Sequence, residues 1–99
     1  MPTHEEEDRF LHDLARLPEA HRERFYAAVK KMVLDLKARQ GFRKGLRVKG
    51  VQGHEGVYEM TWDVGGNGGA TFTYGTSPQS GDVHIIWRRI GGHDIFQNP

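Results

Sequence analysis

LRVKGVQGHEGVYEMTW, residues 46–62, is the stretch where the pattern of the chain changes. In its second part Tyr58, Met60 and Trp62 alternate with Val57, Glu59 and Thr61. A period of two puts one set on each side of an extended chain, so 57–62 reads as a half-buried strand. Just upstream, Leu46, Val48 and, less regularly, Val51 mark a first strand. Downstream, GGNGG at 65–69 supplies residues free to adopt positive φ, as a hairpin loop requires. ATFTY at 70–74 alternates again, and TSPQSGD at 76–82 reads as a turn. VHIIWRRI at 83–90 is strongly β-forming with apolar residues on both parities, which suits a central strand.

Upstream of Gly41 the character is different. No glycine occurs there, whereas all 13 glycines and both tryptophans lie from Gly41 onward. Thr3 to Glu6 reads T-x-x-E, a capping box, with acids at 5–8 in the first turn that the helix dipole favours. Phe10, Leu11, Leu14 and Leu17 follow at helical spacing. Pro18 closes this helix and suits the first turn of the next. Phe25, Ala28, Val29, Met32, Val33 and Leu36 then form one apolar stripe, and Gly41 is a plausible stop. The spacing predicts two antiparallel helices, about 4–17 and 19–39. The whole reads as one α+β domain over 1–99, with a helical hairpin at about 4–39 and a sheet at about 45–96. Its two N-terminal helices are expected to pack on one face of a four-stranded antiparallel sheet, leaving the other face partly open.

Composition narrows the function. Hydrophobic residues make up 36% and charged residues 27%, which excludes a disordered or membrane-embedded class. No stretch approaches the ~20 apolar residues a bilayer helix needs, so no membrane partner is expected. The opening MPTHEEED lacks an apolar signal region, which points to a cytoplasmic protein. The absence of cysteine excludes disulfide scaffolds, thiolate metal sites and cysteine nucleophiles. The net charge of +1 conceals a segregated run: Lys37, Arg39, Arg43, Lys44, Arg47 and Lys49 follow one another with no acid between. Such a run is either a solvated helix end or a phosphate-facing patch that binds RNA by displacing counterions.

Three pieces carry a family resemblance: 46–62, ATFTYG at 70–75 and VHIIWRRIGGHDIF at 83–96. Together with the preceding helical hairpin they resemble the RelE/ParE toxin superfamily. GVYEM is similar to a strand of HigB-type toxins, and IGGHDIF to the tail of YafQ-type toxins. The resemblance implies a small bacterial toxin of a toxin–antitoxin pair, with a cognate antitoxin as partner. It implies cleavage of mRNA on the ribosome, as a metal-independent endoribonuclease without cofactor. Two departures stand out. Members usually begin with a strand, whereas the capping box here leaves only three or four residues before the first helix. RelE-type sites carry lysines and an arginine on the second and third strands, where this chain has about Glu59, Thr61 and Thr71.

RNA cleavage needs a base for the 2′-OH, an acid for the leaving 5′-oxygen and cations for the phosphate charge. Histidine suits the proton transfers, with an ordinary pKa of ~6.5. His93 is the leading candidate, since Gly91-Gly92 can turn it across the open face of the sheet; His54 in the QGHEG turn is the second. Arg88 and Arg89 are adjacent, so a regular strand points them to opposite faces and one reaches the phosphate. Either is equally able to pair with Glu59. Phe96 is placed to stack an unpaired base or to plug the edge of the core. His54, His84, His93 and Asp94 show no tight ligand spacing, so no metal is expected. The alternative to an enzyme is a catalytically inactive module of the same fold that binds RNA, DNA or a partner protein.

Overall fold

The computed structural model describes residues 3–63, 67–76 and 83–99. Strand β1 (Thr3–Glu6) is followed by helices α1 (Asp8–Arg16) and α2 (Glu19–Ala38). Strands β2 (Lys49–Gly50), β3 (Val57–Asp63), β4 (Gly68–Thr76) and β5 (Val83–Gly92) complete one sheet in the order β1-β5-β4-β3-β2. Short 3-10 turns lie at Lys44–Leu46 and His93–Gln97. The GGNGG and TSPQSGD readings fall in part on 64–66 and 77–82, outside the described residues.

The α+β class and the helical pair are as the periodicity predicts, but the sheet differs from the expected four antiparallel strands. It has five strands and is mixed, because β1 pairs parallel with β5 from Thr3↔His84 to Glu6↔Trp87. The segment expected to cap a helix is therefore a strand, and α1 begins only at Asp8. The physical reason is tertiary. The Thr3 hydroxyl, which a capping box would direct at the backbone N–H of Glu6, instead meets His84 Nδ1 at 2.7 Å. The other ring nitrogen of His84 meets Glu5 Oε1 at 3.0 Å. The chain then leaves the sheet with the Glu7 N–H donating to the Trp87 carbonyl at 2.9 Å. A parallel ladder across a long loop leaves no local signature, so the local capping signal misleads.

The apolar stripe of α2 faces the sheet as its spacing predicts, buried at Phe25, Ala28 and Met32 and half-buried at Val29, Val33 and Leu36. Phe25, Ala28 and Met32 pack with Phe10 of α1 onto Met60, Trp62, Ala70, Phe72, Ile85, Trp87 and Ile90 of the sheet. Trp87 is ringed by Phe10, Phe25 and Phe72 at centroid distances of 5.8, 5.1 and 5.4 Å. Trp62 donates its indole N–H to the Gly69 carbonyl at 2.8 Å. Its ring lies so close to Gly68 that a Cβ there would come within 2.6 Å. With Met60 and Trp62 turned to the helices, the alternation of β3 turns Glu59 and Thr61 to the opposite face. That second face is not wholly open. The C-terminal turn packs against β4 and β5, and Ile95, Pro99 and Thr71 are all buried. What stays open is its β2–β3 side.

Candidate nucleic-acid interface

The open side of the second face forms a groove of about 560 Å³ lined by Arg47, Lys49, Gln52, Glu59, Thr61 and Phe96, with Gly50 and Val51. Its position follows from three local causes. The 3-10 turn Lys44–Leu46 buries Leu46 and ends on Arg47 in the left-handed region (φ 50°), which starts the chain back along the sheet edge. Lys49 then pairs directly with Glu59 in the antiparallel register, with Nζ 3.6 Å from Oε1. The 3-10 turn at the C-terminus brings Phe96 to the far wall.

The loop that carries Arg47 is anchored by a pair the sequence reading missed. The Asp35 side chain is 1% exposed, on the buried stripe of α2. Arg43 grips it with Nη2 to Oδ1 at 2.8 Å, Nε to Oδ2 at 3.0 Å and its backbone N–H to Oδ2 at 3.0 Å. Gln40 adds a bond at 3.4 Å. These hydrogen bonds, with the guanidinium charge, lower the Asp35 carboxyl from 3.8 to about 2 against the opposing effect of burial. The same bonds raise the Arg43 pKa. A signal was present: an acid three residues after Met32 falls on an otherwise apolar stripe and needs a buried partner. Arg43, expected to contact RNA, is thus engaged in holding the loop.

The remaining expected site residues separate. Arg47, Lys49 and Phe96 come together in the groove. Lys37, Arg39 and Lys44 are exposed outside it, with Arg39 forming the left-handed end of α2. His54 is exposed at the tip of the turn between β2 and β3, where its N–H donates to the Val51 carbonyl and its carbonyl accepts from Val57. His93 opens the C-terminal turn, and its side chain lies outside the described residues.

Arg88 and Arg89 do not simply alternate. Thr71 pairs with Arg89 and Phe72 with Trp87, so a bulge at Arg88 interrupts the period of two. Both guanidiniums reach the C-terminal residues: Arg88 Nε donates to the Pro99 carbonyl at 2.9 Å and Arg89 Nη1 to the Asn98 carbonyl at 3.2 Å. Arg88 also meets Glu7 at 3.4 Å, and Arg89 makes a two-point bond to Asp13 at 2.6 and 3.3 Å. Asp13 accepts the Ile90 N–H as well, which ties α1 to β5. Neither arginine lines the groove, and neither pairs with Glu59, whose cation is Lys49.

No family model and no curated protein sequence matches the chain. Solved structures do. The chain is similar to the crystal structure of the RelB–RelE antitoxin–toxin complex from Methanococcus jannaschii, with 18% identity, a TM-score of 0.58 and 94% of each chain covered. It is similar to the E. coli DinJ–YafQ toxin–antitoxin complex at 12% identity and a TM-score of 0.60, over 94% of this chain and 93% of that one. Despite the low identity, the chain has the RelE/YafQ-like toxin fold.

Proposed function

We propose that this protein is the toxin of a toxin–antitoxin pair and cleaves mRNA at the ribosome as a metal-independent endoribonuclease. The observation that carries the reading is the groove on the β2–β3 side of the sheet, where Arg47, Lys49 and Phe96 meet Glu59 and Thr61. Cations for phosphate and an aromatic ring for an unpaired base suit single-stranded RNA. The two similar structures are both toxin–antitoxin complexes, which supports a cognate antitoxin as partner. Induced expression in bacteria, scored for growth arrest and for new mRNA 5′ ends, tests the reading. Arrest with cleavage is the expected result, and growth with intact mRNA rejects it. His93→Gln and His54→Gln belong in the same assay. Loss of cleavage with the fold intact assigns proton transfer to that histidine, and unchanged cleavage moves it into the groove.

A second reading is a catalytically inactive module of the same fold that binds RNA, DNA or a partner protein. Glu59, Thr61 and Thr71 favour it, because they stand about where RelE-like sites carry cations, and Thr71 is fully buried. RNA retained without being cleaved distinguishes it.

A further inference from the structure

The groove holds a single carboxylate among the described residues that line it, Glu59. Its side chain is 13% exposed, whereas that of Lys49 across the strand pair is 71% exposed. For mere binding of an anionic chain this acid is adverse, since a negative charge at the floor of a cationic groove repels phosphate. An ion pair whose lysine is this exposed also contributes little stability. A carboxylate is, however, a proton acceptor, and no described histidine lines the groove.

We propose that Glu59 accepts the 2′-OH proton of single-stranded RNA lying in this groove and that Lys49 supplies the proton for the leaving group. The proposal rests on the endoribonuclease reading and deepens it. The 2′-oxygen attacks the adjacent phosphorus as its proton passes to the Glu59 carboxylate. The bond from phosphorus to the 5′-oxygen breaks, and that oxygen takes a proton from the Lys49 ammonium. The products are a 2′,3′-cyclic phosphate and a 5′-hydroxyl. Transfer of the proton from Glu59 to the Lys49 amine, across the 3.6 Å that separates them, restores the site. Arg47 offsets the charge that builds on the phosphate oxygens, and Phe96 orients the neighbouring base.

The test uses the purified chain with a short mRNA, free and on ribosomes, and a 2′-O-methyl copy of that RNA as a probe that binds but does not react. Glu59→Gln should lower the cleavage rate about 10²–10⁴-fold. Affinity for the 2′-O-methyl RNA should stay the same or rise, because a negative charge is removed. A merely structural role would lower both together. Wild-type products should end in 2′,3′-cyclic phosphate. Glu59→Asp keeps the charge one methylene short and carries the test should the glutamine variant fail to fold: a slower rate with binding kept supports the proposal, and an unchanged rate overturns it. Wild-type cleavage that survives Glu59→Gln overturns the Glu59 assignment alone. A wild type that cleaves neither form of the RNA overturns the endoribonuclease reading, and this proposal with it.

Discussion

At the scale of the residue, Asp35 shows how a buried charge organises an exposed site. Its carboxylate is paired and hydrogen-bonded by Arg43, so ionisation is favoured in the folded chain and the carboxyl falls from 3.8 to about 2. A folded pKa below the unfolded one means stability that is present above pH ~4 and lost as pH falls toward ~2. The predicted outcome is that acid unfolding of the wild type carries a component in that window that Asp35→Asn lacks, read by circular dichroism against pH. Arg43→Ala should be the more damaging change at neutral pH, because it leaves the carboxylate buried without its cation. Both partners were visible in the sequence, Asp35 as an acid on the apolar stripe and Arg43 in the basic run. Their pairing was not, because which cation turns inward depends on the left-handed turns at Arg39 and Gly41 that reverse the chain between them.

At the scale of the element, β1 is the part the local pattern misread. Only four residues pair with β5, on one side, and two side-chain bonds from His84 to Thr3 and Glu5 secure them. Edge strands with few contacts open locally at low cost. His84→Ala should therefore speed amide hydrogen exchange in residues 3–6, while β3 and β4 keep their protection. Uniform acceleration across the sheet would contradict this. β5 shows the complementary case. Apolar residues on both parities agreed with a central strand, and it is paired on both sides, to β1 and β4. The bulge at Arg88 was not legible, since a bulge is set by the register of two strands and not by either alone.

At the scale of the whole molecule, the run of six cations from Lys37 to Lys49 is not one surface. Folding commits Arg43 to Asp35 and Lys49 to Glu59, while Arg47 lines the groove and Lys37, Arg39 and Lys44 remain outside it. Removing Arg47 should therefore weaken RNA binding and flatten its log–log salt dependence by about 0.7, the value for one phosphate contact to a single strand. Lys37→Ala should leave the slope nearly unchanged. Equal effects of the two substitutions, in titrations at several salt concentrations, would show a diffuse cationic face instead of a groove.

Whatever is periodic, and therefore local, could be read from the order of residues alone. The 3.6-residue stripe of α2, the two-residue alternation of β3 and β4 and the change of character at Gly41 placed two helices against a sheet, and the motifs of its second half suggested the RelE-like fold. Folding turned Thr3–Glu6 from a cap into a strand, drew Arg88 and Arg89 to the C-terminal carbonyls, and laid the C-terminal turn over β4 and β5. It also put Glu59, a departure from the cations expected at that sequence position, opposite Lys49 at the floor of the groove. The physical reason is common to all four. A side chain's direction follows from its own backbone, but its partner is chosen by strand register and loop closure, and those are settled only when the whole chain packs.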